Sequence, residues 1–274
     1  MSGDGIVTDH SYARAPALSS AAWINKPPRR DRIVTLAVVS AVAAAGWLYL
    51  VLEAVREPVQ MDFHPAGMMA MPSWTPSHAL FAWATMTVTM MLPSAAVAIA
   101  RSLGRPLTSG LARTAAAGLF TAGYLVVWMV FCVAAAWLQG MLAVRHLLSG
   151  TMAIRDATSA ALLLVVVGIY QLSGLKRISV RRCHLSGAGP IGSGELSRPL
   201  AGIRYGISCL GCCALPMGLM FVGGVMNLLW MAMLSVLVFA EKNFSWGGRL
   251  SRFTGIGVVA WGTVSLAVAG GHWP

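Results

Sequence analysis

Three cysteines lie close together in one long apolar stretch of the chain. Cys209, Cys212 and Cys213 occupy positions i, i+3 and i+4, which share one face of an α-helix. Met217 and Met220 continue that face farther along the same stretch. Thiolate and thioether sulfurs are soft donors and prefer soft ions such as Cu(I). The spacing therefore predicts a copper-binding face. The alternative is close helix packing, to which small residues such as Cys are also suited.

The composition places these cysteines in a membrane protein. Of 274 residues, 57% are hydrophobic and only 11% are charged, and the mean hydropathy is +0.70. Seven apolar stretches are candidates for crossing a bilayer, most of them within the ~17 to 25 residues that a crossing helix needs. They lie near residues 33–52, 78–100, 114–138, 157–173, 203–220, 226–240 and 253–270. The predicted fold class is an all-α integral membrane protein with about seven transmembrane helices.

The stretch at residues 226–240 is the shortest of the seven, and its full crossing depends on flanking residues. A polar, basic segment, residues 1–32, precedes the first stretch and is expected to be a cytoplasmic tail. Residues 33–274 are expected to form a single helical membrane domain.

The basic residues predict the orientation of these helices. Seventeen of the 20 Lys and Arg residues lie in the tail and in every second loop, and only Arg56, Arg145 and Arg155 lie in the alternate loops. Because cytoplasmic loops carry the excess of Lys and Arg, the N-terminus is expected in the cytoplasm and the C-terminus outside. The net charge of +11 is then a consequence of topology, and no nucleic acid partner is expected.

The first loop on the predicted outer side is rich in methionine and histidine. Thioether and imidazole donors suit copper in an oxidising compartment, where free thiols do not persist. The loop is therefore predicted to capture copper, and the alternative is an interfacial loop whose methionines enter the lipid. The residues concerned are Met61, His64, Met68, Met69, Met71 and His78.

Two of the apolar stretches carry further candidate copper ligands. Methionine stripes at helical spacing are more often core residues than ligands, so packing is the alternative here as well. Asn227 differs, because a polar side chain within a membrane usually has a partner or a function. The candidates are Met86, Met90 and Met91 in the second stretch, and Met226, Asn227 and Met231 in the sixth.

Several longer segments carry a family resemblance. They are MTVTMMLPSAA (86–96), YLVVWMVF (124–131), YQLSGLKRISVRRC (170–183), GIRYGISCLGCC (202–213) and GVMNLLWMAMLSVLVFAEK (224–242). Over about residues 75–245 the chain resembles the bacterial family of predicted metal-binding integral membrane proteins. The resemblance implies a copper chaperone of the inner membrane, supplying an extracytoplasmic copper enzyme such as a tyrosinase-like oxidase or a small metal-binding partner.

Residue by residue, the resemblance carries the family pattern onto a defined set of positions. They are Met90, Met91, Pro93, Tyr170, Gln171, Lys176, Cys183, Cys209, Cys212, Cys213, Met226, Asn227, Trp230, Met231, Glu241 and Lys242. The loop after Cys183 departs from the pattern, because a Gly-rich insertion follows His184. The role of that loop in handing over a metal is left open.

Two functions other than copper binding remain open. Cys209 and Cys212 form a C-x-x-C pair, which also suits a membrane thiol-disulfide oxidoreductase. A metal-free scaffold or assembly factor is the second alternative. Structural zinc is less favoured, because zinc usually takes four ligands and only three thiols are expected to converge. No hydrolase or dinucleotide-binding motif occurs in its required context, so the chain is not expected to be an enzyme.

Overall fold

The computed structural model describes residues 29–56, 75–102, 110–186, 197–244 and 246–270. These ranges are helical apart from turns and one isolated bridge between Leu148 and Ile154. They contain nine helices, which are α1 (Arg29–Arg56), α2 (Pro76–Ser102), α3 (Gly110–Val144), α4 (Ala157–Leu172), α5 (Gly174–Ser186), α6 (Ser197–Gly218), α7 (Met220–Gly223), α8 (Leu228–Asn243) and α9 (Gly247–Ala269). The all-helical fold class is thereby confirmed.

Fewer helices qualify as membrane spans than the seven that were predicted. In the described ranges, α1, α2, α3, α9 and the continuous pair α6–α7 are long and apolar enough to cross. The bent pair α4–α5 makes a sixth if both helices count as one span. Helix α8, on the shortest predicted stretch, has 16 residues, just under the ~17 that a crossing needs. Each predicted stretch nevertheless coincides with a helix.

Helix α1 begins earlier than predicted, inside the polar tail. It starts at Arg29, four residues before the predicted stretch. Its first turn carries Asp31, whose carboxylate lies 2.6 Å from the Arg113 guanidinium in the first turn of α3. The N-terminal ends of α1 and α3 therefore lie at the same end of the bundle.

Helices α3 and α6 pack closely along each other. A Cβ atom on Gly123 or on Gly202 would collide with the backbone of the partner helix. Small residues allow two membrane helices to approach in this way. The close approach brings the ring of Tyr124 on α3 to a centroid distance of 5.5 Å from that of Tyr205 on α6.

A break after α4 turns the chain back toward α6. The hydroxyl of Ser173 accepts a hydrogen bond from the backbone N–H of Lys176 at 3.2 Å, and the backbone N–H of Ser173 donates to the carbonyl of Tyr170 at 3.0 Å. The helix axis bends by 62° between α4 and α5. As a result α4 packs against α9 while α5 packs across α6, and Cys183 on α5 reaches the core.

The helical conformation is interrupted between α6 and α8. Pro216 lies within α6, and Gly224 has a φ of +93° in the left-handed region, which glycine tolerates without a Cβ penalty. The loop between α3 and α4 supports this turn, because the N–H of Ile154 donates to the carbonyl of Phe221 at 2.8 Å. Non-helical backbone is stable at such a place only when its polar groups are satisfied within the protein.

Side chains cap the helices on either side of that loop. The Asp156 carboxylate accepts hydrogen bonds from the hydroxyl and the backbone N–H of Ser159, which lowers the pKa of the carboxyl. The cap therefore stabilises α4 at neutral pH, and its contribution is lost as the pH falls through that lowered pKa. At α8, the Asn227 side chain accepts from the backbone N–H of Trp230 at 3.1 Å.

Candidate metal centre

Helix α6 places its three cysteines in the interior of the bundle. Cys209, Cys212 and Cys213 are each at most 1% exposed, as expected for one buried helix face. The sulfur atoms of Cys212 and Cys213 are 3.2 Å apart, and the Cys212 thiol donates to the Cys209 carbonyl at 3.1 Å. The predicted common face is therefore a contiguous group of thiols.

A fourth thiol joins this group from a different helix. Cys183 on α5 is 2% exposed and lies close enough to Cys209 and Cys212 to interact with them. Sequence reasoning expected three converging thiols and left the role of the Cys183 region open. The expectation of three is corrected to four, because the bend after α4 carries α5 back onto α6. We call Cys183, Cys209, Cys212 and Cys213 the thiol cluster.

A buried lysine touches the thiol cluster. The Lys242 Nζ, at the end of α8, lies 2.9 Å from the Cys209 sulfur and 3.0 Å from the Ser94 hydroxyl oxygen of α2. It also lies 5.8 Å from the centroid of the Tyr205 ring, within the range of a cation–π contact. Lys242 was not among the predicted ligands. The signal for it was the charged pair Glu241–Lys242 at the end of an apolar stretch.

The packed rings of Tyr124 and Tyr205 lie beside the cluster. The Tyr124 hydroxyl donates to the Met91 carbonyl at 3.1 Å and lies 3.4 Å from the Cys209 sulfur. Tyr124, in the third predicted stretch, was not among the predicted ligands, yet its hydroxyl contacts a thiol. Cys132, the one cysteine of α3, donates to the hydroxyl of Thr87 at 3.3 Å instead.

A second polar group lies next to the cluster, on the side of α4 and α9. The Lys176 Nζ is 2.8 Å from the Glu241 carboxylate and 2.7 Å from the Cys212 carbonyl oxygen. Gln171 donates to Glu241 at 3.0 Å and accepts from the Ser251 hydroxyl at 3.2 Å. Glu241, the residue directly after the predicted stretch 226–240, is only 4% exposed. A small cavity of about 50 Å³ adjoins this pair.

The predicted methionine ligands divide into buried and exposed residues. Met226 is 49% exposed, and the amide of Asn227 is used as the α8 cap. The other predicted methionines of the membrane stretches belong to the same buried core as the thiol cluster and are at most 3% exposed. They are Met86, Met90, Met91, Met217, Met220 and Met231.

The predicted copper-capturing loop is only partly described by the structure. His78 lies in the first turn of α2 and is exposed. Met61, His64, Met68, Met69 and Met71 lie outside the described residues, so their contribution stays a prediction.

The thiols lie close together but are not arranged in a metal-coordinating geometry. Among the described residues, no group of three or more His, Cys, Asp or Glu side chains is arranged ready to hold a metal ion. The sulfur atoms of Cys212 and Cys213, by contrast, are only 3.2 Å apart. Both findings are explained if the thiols form hydrogen bonds with one another and with Lys242 in this structure. Their side chains then reorient to coordinate a metal ion when one binds. A linear Cu(I) ion needs only two such sulfurs, and its preference for soft donors matches this set.

A model of the copper chaperone family PpoB2 matches residues 80–265. The match covers more than half of the chain and includes the thiol cluster, Lys242 and the buried methionines. No curated protein and no solved structure matches the chain.

Proposed function

The chain belongs to the copper chaperone family, and we propose that it binds Cu(I) at the thiol cluster within a bacterial inner membrane. The copper is then passed to an extracytoplasmic copper enzyme or a small metal-binding partner. The observation that carries this proposal is the convergence of Cys183 from α5 with the three cysteines of α6, all at most 2% exposed.

The lysine beside the buried thiols favours a metal-binding role over a purely structural one. Free cysteine does pack well as a small apolar residue, but packing alone does not require a lysine ammonium 2.9 Å from one of the sulfurs. Placing an ammonium in an apolar interior is costly unless it is paired. A thiolate that holds copper supplies that pairing.

The buried methionines extend from the cluster in one direction. Lys242 contacts both Ser94 and Cys209, so these three residues mark one level on α8, α2 and α6. Met86 lies eight residues from Ser94, and Met217 lies eight residues from Cys209. At a rise of 1.5 Å per residue, both methionines are roughly 12 Å away along their helices.

Contacts between aromatic side chains and the backbone show that these positions lie on the same side of the cluster. The rings of Trp83 and Phe221 are 5.7 Å apart, and the Trp230 indole donates to the Leu219 carbonyl at 2.8 Å. Met231, next to Trp230 in α8, therefore lies at about the same level of the bundle as Met86 and Met217, and it is buried. We take these thioethers as a weaker, uncharged set of ligands through which Cu(I) leaves the thiol cluster.

We propose that copper is transferred outward, and the orientation predicted from the basic residues supports this direction. With the N-terminus in the cytoplasm, the C-terminal ends of α2 and α8 lie toward the cytoplasm, and the thiol cluster lies in that half. The methionines then lie in the outer half, below the loop with Met68, Met69 and Met71. Copper moves outward from thiols to thioethers, and then to the extracytoplasmic partner.

The thiol-disulfide oxidoreductase is the main rival. Thiol exchange requires an accessible thiolate, whereas Cys209 and Cys212 are both 0% exposed. All five cysteines in the described ranges are free thiols. Burial thus disfavours exchange with a redox partner. A metal-free scaffold gives no reason for four thiols and a lysine to meet.

Thiol alkylation separates the three functions. The full-length protein in membranes is treated with a membrane-permeant maleimide, with and without prior removal of copper by a Cu(I) chelator, and labelled cysteines are mapped by mass spectrometry. The proposal predicts that Cys209, Cys212 and Cys213 are protected with copper and labelled after chelation. A Cys209–Cys212 disulfide that responds to redox conditions supports the oxidoreductase, and labelling that ignores copper supports the scaffold. Cys132, outside the cluster, is the internal control.

A further inference from the structure

Lys242 brings a permanent positive charge to the thiol cluster. Lys242 is only 7% exposed, and its ammonium group lies 2.9 Å from the Cys209 sulfur, 3.0 Å from the Ser94 hydroxyl and 5.8 Å from the centroid of the Tyr205 ring. Cys183 and Cys213 lie near enough to interact with the same ammonium group. The ammonium group therefore faces the sulfur atoms that are proposed to hold copper.

The carboxylate beside Lys242 in sequence is directed elsewhere. Glu241 lies 2.8 Å from the Lys176 ammonium and accepts from the amide of Gln171 at 3.0 Å. Successive residues of α8 thus point to different groups, Glu241 to Lys176 and Lys242 to Cys209. This division leaves the charge of Lys242 beside the thiols, where it affects a bound metal ion.

The charge balance of the site selects the ion. Two thiolates and one Cu(I) carry one net negative charge, and the Lys242 ammonium makes the assembly neutral. Four thiolates and one Zn(II) carry two negative charges, of which the lysine cancels only one. Uncompensated charge in an apolar interior is strongly disfavoured. Ligand number alone no longer argues against zinc, since four thiols meet here, but the charge balance argues against zinc held by all four thiolates.

We infer that Lys242 is the fixed counter-charge that sets the site for a monovalent soft ion held by two thiolates, one of them Cys209. This inference rests on the proposed function and adds a specificity-determining residue to it. The side chain touches the ligand sulfur and not the metal, so Lys242 acts through Cys209. Copper binds as Cu(I), without a change of oxidation state. Any proton that the two coordinating thiols still carry is released to solvent.

The test measures Cu(I) affinity of the full-length protein in detergent by competition with a colorimetric Cu(I) chelator. Lys242→Met keeps the length of the side chain and removes the charge, so we expect binding weaker by a factor on the order of 100, the cost of leaving one member of a buried ion pair alone. Ag(I), with the same charge and softness, should weaken in the same ratio. Arg249→Met removes one positive charge from an exposed position and should leave the affinity unchanged.

A double-mutant cycle distinguishes this role from a structural one. In the Cys209→Ser background, Lys242→Met should have much less effect, because its target sulfur is gone. Lys242→Gln, which removes the charge without adding a sulfur ligand, is measured beside Lys242→Met, and only variants with a cooperative thermal transition are compared. Equal Cu(I) affinity in wild type and a folded neutral variant, or an undiminished effect in the Cys209→Ser background, overturns the inference. Absence of Cu(I) binding by the wild type overturns the proposed function itself.

Discussion

The ammonium group of Lys176 lies 2.8 Å from the carboxylate of Glu241, and both side chains are only 3% exposed. The pair joins α5 to α8, and Lys176 also donates to the backbone carbonyl of Cys212 on α6. A single ion pair therefore fixes three helices around the thiol cluster. Because both partners are buried, removal of one leaves the other charge without compensation.

Lys176→Met is expected to destabilise the protein by about 3 to 5 kcal/mol, the usual cost of breaking a buried pair from one side. The double variant Lys176→Met/Glu241→Gln should recover a large part of that loss, because no unpaired charge remains. Thermal unfolding in detergent measures both. Equal destabilisation in the single and double variants would show that packing, and not charge, holds these helices.

Gly123 and Gly202 set the distance between α3 and α6. Gly123→Ala is expected to cost about 1 to 3 kcal/mol, because the added methyl group collides with the α6 backbone and must push the helices apart. Gly118→Ala on the same helix is the matched control, since nothing lies within 4 Å of a Cβ atom there. Similar melting temperatures for the Gly123→Ala and Gly118→Ala variants would contradict the close approach.

The orientation of the chain is testable with reporter fusions. Fusions after Gln60 and Gly150 should be extracytoplasmic, and fusions after Gly104 and Gly187 should be cytoplasmic, as the distribution of Lys and Arg predicts. Alkaline phosphatase and a fluorescent protein that folds only in the cytoplasm give opposite signals at each site. A cytoplasmic signal after Gln60 would reverse the proposed direction of copper transfer.

The methionine-rich outer loop is expected to bind Cu(I) independently of the thiol cluster. A peptide of residues 60–78 should bind Cu(I) in reducing buffer through thioether and imidazole groups. Acidification should weaken the binding only in part, because imidazoles take up protons and thioethers do not. A second peptide with Leu in place of every methionine is the control. If both peptides bind equally, the methionines serve the lipid interface.

Much of the fold could be predicted from local sequence. Apolar stretches of spanning length gave the helices, and the i, i+3, i+4 spacing gave the common face of Cys209, Cys212 and Cys213. These properties depend on residues within a few turns of each other. The break at Ser173 was harder to predict, because a hydroxyl cap and a 62° bend end α4 without a proline.

Cys183 and Lys242 are positions of the family pattern, but their location beside the thiols of α6 depends on contacts distant in sequence. Cys183 is 26 positions from Cys209, and Lys242 is 33 positions from it on another helix. No periodicity predicts that a bend in one helix and the end of another meet at the same sulfur atoms. The charges of Glu241 and Lys242 at the end of an apolar stretch also fit a membrane surface. Only the packing of α8 against α2 and α6 shows that they are interior.

The copper content of the purified protein tests the central claim most directly. Full-length protein, expressed with copper and purified in detergent under reducing conditions, is compared with the Cys209→Ser/Cys212→Ser/Cys213→Ser variant by elemental mass spectrometry. Cys132→Ser serves as the matched control, since its thiol is buried but bonds to Thr87 away from the cluster. We expect copper in an amount comparable to the protein in the wild type and the control, and its loss in the triple variant. Equal copper in all three proteins, or none in the wild type, would contradict the assignment of the thiol cluster as the copper site.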